Sequence, residues 1–309
     1  MVRTLIEALP HHPLFFEPVP PAVRLSSPRL EERIEAIAKV VAAVPRVDAL
    51  DVPELVDENH EGRPYYRSGD SREFATVLGR RTGREIVVNK VVAHLPSTEA
   101  LVRWTEETVA RGIHHAVLVG GSSRYIPYPG PSVTEANRIS RPILERAHGL
   151  LGNIAIPQRV GEAHRMLQKT RAGTAFFTTQ ILFDSESILH LVTEYESLCL
   201  KAGVSPSAVL ISVAPIADEG DAEFVRWLGA DIPESAEQII LNGEEAGASA
   251  RSVQNALGIW QKLVAGVSRG SLSVPLGVNV EQLSPRHLAN AAEMLAAFER
   301  VLDPVDPAP

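Results

Sequence analysis

Short apolar runs rich in β-branched and aromatic residues take turns along the chain with longer stretches whose apolar residues return every three or four positions. The first run is "LFFEPVP" (14–20), and the helical pattern "SPRLEERIEAIAKVVAAV" (27–44) follows it. A serine ahead of a proline marks where that helix begins. "RVDALDV" (46–52) precedes a helix near 71–82, and "EIVVNKVVAH" (85–94) precedes the helix "STEALVRWTEETVARG" (97–112). Ser97 suits the N-cap of that helix and Gly112 its C-cap. The order continues with "HAVLVGG" (115–121) and a helix near 131–149, then "NIAIP" (153–157) and a helix near 160–172. "TAFFTTQILF" (174–183) is followed by a helix near 185–202, and "AVLISVAP" (208–215) by helical segments across 219–268. "SLSVPLGV" (271–278) and a helix over 284–302 close the series.

Eight strand–helix units in this order predict a (β/α)8 barrel, one catalytic domain over residues 1–309 with extra helices before the last strand. Several strands are unbroken apolar runs, as strands covered on both faces should be. An open doubly wound sheet would carry a glycine-rich turn, G-x-G-x-x-G, after a strand, and the chain has none.

In such a barrel the chemistry gathers where the strands end. Those positions hold Glu17, Asp51, His94, Gly120–Gly121–Ser122, Gln180 and Asn279, with Glu54 in the loop after the second strand. Glu17 and Gln180 stand out, because apolar residues flank both, in "FFEPV" and "TTQIL". A carboxylate in that setting loses hydration, so it must be paired or hold its proton. An arginine at the rim is the structural alternative for Glu17.

Composition narrows the function. The chain has 309 residues, is 45% hydrophobic and 22% charged, and carries a formal charge of −8. That balance disfavours a nucleic-acid binder. The single cysteine, Cys199, permits no internal disulfide and reads as a buried thiol. The start "MVRTLIEALPHHPLFF" lacks the long apolar core of a signal peptide, and no apolar run is long enough to span a membrane, so a cytoplasmic protein is expected. The histidine pairs at 11–12 and 114–115 lack metal-ligand spacing, and no metal is expected. The tail "DPVDPAP" is expected to fray.

With these motifs in view, the chain resembles the methylenetetrahydrofolate reductases. "FFEPVPP" is similar to their first-strand segment, an aromatic–Glu pair before Pro-Pro. "KTRAGTAFFTTQILFD" (169–184) matches their sixth-strand landmarks, and "GIHHAVLVGGS" (112–122) their fourth-strand segment. "HLPSTEALVRW" starts with the His-Leu that ends their third strand, and Asn279 falls on an asparagine of their eighth. The resemblance covers roughly residues 14–300. It implies a (β/α)8 barrel that reduces 5,10-methylenetetrahydrofolate to 5-methyltetrahydrofolate, serving methionine synthesis. It assigns the general acid to Glu17 and a folate contact to Gln180, with Asn279 beside them.

Departures from the family shape the cofactor expectation. The family's Arg-Gly-Asp, which holds flavin and pterin, reads Gly120, Gly121, Ser122. Its second-strand threonine and glycine-rich loop read Asp51, Val52, Pro53, Glu54, which places acids where flavin phosphates would lie. His94 and Lys169 match flavin-region positions, although the lysine serves equally as a dinucleotide contact or a helix cap and the histidine as a core residue. The expectation is therefore a flavin-independent branch in which NADH, or NADPH, passes hydride directly to the folate. Asp51 or Glu54, with Ser122, replaces the lost pterin acid. Tyr125, in "SSRYIPYPG", offers a stacking face, and Arg63, Arg67 and Arg124 offer positive charge for phosphates or the glutamate tail. Two alternatives stay open: a flavin-dependent member with relocated contacts, and a barrel that binds folate or dinucleotide without turnover.

Overall fold

The computed structural model describes residues 3–22, 25–123, 125–243 and 247–302. The proline-rich tail and Arg124 lie outside the described residues. Among the described residues ten strands form: β1 Leu14–Glu17, β2 Val47–Val52, β3 Val56–Glu58, β4 Pro64–Tyr66, β5 Glu85–Val91, β6 His115–Val119, β7 Leu151–Ala155, β8 Phe176–Ile181, β9 Ala208–Val213 and β10 Leu276–Glu281. Eight of them close a parallel barrel in the order β1-β10-β9-β8-β7-β6-β5-β2, while β3 and β4 form an antiparallel hairpin in the loop after β2. The helices are α1 Leu5–Ala8, α2 Ser27–Ala43, α3 Ser71–Thr82, α4 Thr98–Ala110, α5 Val133–Arg146, α6 Glu162–Arg171, α7 Glu186–Lys201, α8 Glu219–Trp227, α9 Glu234–Leu241, α10 Ala248–Gly270 and α11 Leu288–Val301. The fold is a (β/α)8 barrel, with α8 and α9 added ahead of α10 before the last strand. Among the described residues no helix is long and apolar enough to cross a membrane.

The pairing of strand and helix follows the sequence pattern, but some boundaries move. β1 stops at Glu17 because Pro18 has no N–H for the ladder. β7 begins two residues earlier than "NIAIP" suggests. The last strand is Leu276–Glu281 rather than 271–278, because α10 runs on to Gly270 and its cap, Ser271, adopts a left-handed φ of 51°. Ser97 caps α4 through a bond from the Ala100 N–H. The cap at the other end is Arg111, and Gly112 takes the left-handed turn after it, with φ 80°.

Alternation along the strands fills the barrel in two chemical layers. Phe15, Ala49, Val87, Val117, Phe176 and Leu210 form one interior cluster, and Leu5 and Ala8 of α1 join it from below. Phe15 and Phe176 meet edge to face at 5.6 Å. Two residues further along the same strands stand Glu17, Asp51, Asn89 and Ser212. Gly277 packs on Leu210, so Asn279 and Glu281 share its inward face, while Val278 and Val280 join the outer core with the helices. The barrel is thus apolar at the bottom, plugged by α1, and polar at the mouth where the strands end.

Phe176→Ala should open a cavity in the lower layer and cost about 3–5 kcal/mol of unfolding free energy by urea titration. A loss below about 1 kcal/mol would mean that this layer is not closely packed.

Candidate active site

Three carboxyls meet in the polar layer. Glu17 and Glu281 are the last residues of β1 and β10, and they are direct partners in the parallel register. Asp51 stands on β2, on the other side of Glu17. Among the described residues, no lysine, arginine or histidine bonds to any of the three. The rim arginine that would have given Glu17 a structural role is therefore not found there.

Asn279 organises the cluster. Its Nδ2 donates to Glu17 Oε2 at 2.8 Å and to Ser212 Oγ at 3.1 Å, so both amide hydrogens are spent. The backbone adds a bond from the Gln282 N–H to the Glu17 carbonyl at 2.9 Å. Glu17 keeps partial exposure, but the protein around its carboxyl desolvates it and pushes its pKa up to about 7 against the pull of Asn279. Burial, then the charge of Glu17, hold Asp51 and Glu281 well above the usual carboxylate range. Asn89 lies close enough to act on Asp51 but makes no hydrogen bond of normal geometry with it. Both Asp51 oxygens, Asn89 Oδ1 and Asn279 Oδ1 are buried without a partner. Buried acceptors left bare are costly, and here four of them share one layer.

The other residues anticipated from sequence fall into separate groups. Gln180, inward on β8, donates from Nε2 to the Leu228 carbonyl at 3.1 Å and accepts from the Ile181 N–H at 3.0 Å, which ties the rim to the end of α8. Glu54 is committed elsewhere: it pairs with Lys90 Nζ at 2.5 Å and accepts from the Val91 N–H at 2.8 Å. His94 and Ser122 converge instead on Glu58, from the hairpin. His94 Nε2 lies 2.9 Å from Glu58 Oε1, and Ser122 Oγ and Tyr128 OH donate to Glu58 Oε2 at 2.8 and 2.5 Å. Burial alone would raise Glu58; the bonds from Tyr128 and Ser122, with His94 nearby, outweigh it and hold the carboxyl below its usual range.

Gly120, Gly121 and Tyr125 line a cavity of about 690 Å³ beside the mouth, together with Arg159, Arg165 and the start of α5. A Cβ on Gly121 would sit 2.2 Å from the Tyr128 ring, so only glycine lets the strand end approach that wall. Lys169 is not at this cavity's surface. Its Nζ donates to the Ile154 carbonyl at 2.7 Å and lies 3.6 Å from Glu162, and burial lowers its pKa. Cavities of about 780 and 840 Å³ sit on the flank near α9 and α10, away from the three acids.

Sequence reasoning missed Glu281, Ser212, Asn89 and Glu58. Glu281 shares the period of two that runs through "GVNVE" from Asn279, but a strand placed at 271–278 hides it. One group outside the mouth, Asp218, Asp221 and His287, brings three ligand atoms within 4.8 Å of one another. Asp218 caps α8 and Asp221 accepts from the Ala217 N–H at 2.9 Å, which accounts for both acids, and no metal is assigned.

No protein-family model matches the chain, and no curated protein matches it in sequence. Solved structures share its fold. One is an uncharacterized protein from Clostridium thermocellum that binds two copies of 5-methyl-5,6,7,8-tetrahydrofolic acid. It superposes with a TM-score of 0.78 at 15% identity, covering 97% of this chain and 100% of its own. The apo form of MsnO8 superposes with a TM-score of 0.54 at 14% identity, covering 96% and 100%. These likenesses establish the barrel.

Burial of Glu17 has a sign that stability measurements can read. Its pKa rises from 4.5 to about 7 on folding, so the native state binds the proton more tightly. Stability contributed by this group is full below pH 4.5 and is lost as pH rises towards 7. Glu17→Gln should therefore be more stable than wild type at pH 8, by up to about 3 kcal/mol, with the gap closing near pH 4. Equal stability at both pH values would show that the carboxyl is well hydrated.

Proposed function

We propose that the protein reduces 5,10-methylenetetrahydrofolate to 5-methyltetrahydrofolate with hydride taken directly from NADH. The observation that carries this reading is the acid cluster, bonded by no cation among the described residues, with its four bare acceptors. A reduced pterin presents a matching row of donors, its N3–H and 2-amino hydrogens, and Asp51 has two free oxygens to receive them. The Clostridium thermocellum neighbour binds the molecule that this reaction would produce.

The chemistry needs a proton before it needs a hydride. Asn279 donates to Oε2 of Glu17, which leaves Oε1 to carry the acid proton. Glu17 gives that proton to N10 of the folate. The bond from the bridging methylene to N10 then breaks with its electron pair on N10, leaving an N5 iminium whose carbon accepts hydride. A carboxyl with a pKa of about 7 suits this task, because it is still protonated near neutrality yet strong enough to give the proton up. The negative charges of the cluster favour the cationic iminium over the neutral ring.

NADH supplies the hydride. Its dinucleotide is assigned to the cavity lined by Gly120, Gly121 and Tyr125, where Arg159 and Arg165, each beside Glu162, offer charge for phosphates and Tyr125 a ring face. NADPH would use the same arginines. Gln180 is placed to meet the folate from the rim if its bond to Leu228 gives way, and Ser122 stays with Glu58.

Purified protein should oxidise NADH only when methylenetetrahydrofolate is present, and its visible spectrum should show no flavin band. A stoichiometric flavin band would favour the flavin-dependent reading, and folate binding without NADH oxidation would favour the binding-only one. Glu17→Gln should lose on the order of 10²–10⁴ in kcat/KM while still binding folate. In wild type, kcat/KM should be level in acid and fall tenfold per pH unit above about 7, because only protonated Glu17 can act. Asp51→Asn should weaken 5-methyltetrahydrofolate binding by roughly tenfold to a hundredfold in calorimetry.

A further inference from the structure

We propose that Glu281 is a positioning residue that acts through Glu17: it stays neutral at pH 7 and returns a proton to Glu17 while the folate is still bound. This rests on the reductase reading for its kinetic consequence, but the state of Glu281 can be tested without it.

The geometry begins with register. Glu281 and Glu17 are Cα partners on neighbouring parallel strands, both at the strand end and both on the inward face. Strands that pair in this way lie about 4.8 Å apart. Two inward carboxyls in register on adjoining strands are therefore side-by-side neighbours on one face. Asp51 approaches Glu17 from β2. From β9, Ser212 accepts from Asn279, which leaves its hydroxyl hydrogen free to act on Glu281. The lysine next along the rim, Lys90 on β5, is spent on Glu54.

Charge accounting then limits the cluster. Like charges this close in a desolvated layer cannot all form, so three carboxyls without a cation carry about one negative charge near neutrality. When the donor row of a pterin reaches Asp51, that charge settles there, and Glu17 and Glu281 both keep protons. The reaction next removes one proton from Glu17. If nothing replaced it, Glu17 carboxylate would stand beside the new N10–H and could take the proton back, closing the ring again. Glu281 prevents this by passing its own proton to Glu17. Partly exposed at the rim, Glu281 then recovers a proton from water. The balance per turnover is one hydride from NADH and one proton from solvent, with NADH oxidised and the methylene carbon reduced. Burial and the neighbouring charge of Glu17 both raise the proton affinity of Glu281, so it has a proton to lend.

The test uses the full chain, with Glu281→Gln and Glu281→Asp beside wild type. Infrared titration without ligand reads the protonated carboxyls directly. At pH 7, Glu281→Gln should lose protonated-carboxyl absorption present in wild type, and Glu281→Asp should keep it. An unchanged absorption in the glutamine variant would mean that Glu281 is ionised and would overturn the proposal, whether or not the protein is a reductase. In kinetics, the alkaline limb of wild-type kcat should lie above that of kcat/KM. Glu281→Gln should bring the kcat limb down to meet it, with roughly a tenfold loss one pH unit above neutrality and little loss at pH 6. A uniform loss at every pH, with no movement of the limb, would show a merely structural role and also overturn it. If wild type oxidises no NADH with methylenetetrahydrofolate, the reductase reading fails by itself, and the infrared result still decides the state of Glu281.

Discussion

The structure turns on a conflict between burial and charge at the mouth of the barrel. Glu17, Asp51 and Glu281 share one layer of the interior, and no cation among the described residues bonds to them. A stable core would avoid such a layer, since desolvating a carboxylate costs more than most single contacts return. The rest of the barrel is arranged to tolerate it. Below lies a dry floor of Phe15, Phe176 and Leu210, plugged by Leu5 and Ala8. Alongside, Asn279 spends both amide hydrogens to hold Glu17 and Ser212 in place. The conflict is resolved by protons in the free protein, and in the proposed reaction by a ligand rich in donors.

The rest of the rim holds its charged groups in separate clusters. The hairpin after β2 places Glu58 against His94, Ser122 and Tyr128, so three loops are joined through one carboxylate. Next to it, the cavity beside β6 and β7 carries Arg159 and Arg165, both within ion-pair reach of Glu162. Gln180 links the rim to α8, through a single bond to the Leu228 carbonyl. Because α8 and α9 pack on a core of their own with Ile181, Phe183 and Ile216, this side of the rim has a support distinct from the main barrel core.

Much of this was legible in the residues. The alternation of apolar runs with helical periodicity predicts the barrel, because strands covered on both faces and amphipathic helices leave different marks. Glu17 was legible because its apolar flanks make an acid there conspicuous. Glu281 was not: the true strand starts five residues later than the apolar run "SLSVPLGV" suggests, so the inward set is displaced out of view. Glu58 lies in a strand of three residues, too short for any periodicity to show. Glu54 and Lys169 show the converse case. Both sit at positions that sequence reasoning favours for ligand contacts, yet the fold spends each on an internal bond, with Lys90 and with the Ile154 carbonyl. One-dimensional patterns report which residues are near the mouth; they do not report which already have partners.

The central claim is that the barrel mouth keeps Glu17 protonated up to neutral pH. It is tested most directly by following the side-chain carboxyl of Glu17 itself through a carbon-13 NMR titration of the intact protein, assigned by comparison with a Glu17→Gln sample. The account predicts a midpoint near 7. A midpoint near the ordinary value of 4.5 would contradict it and remove the physical basis for an acid at this position.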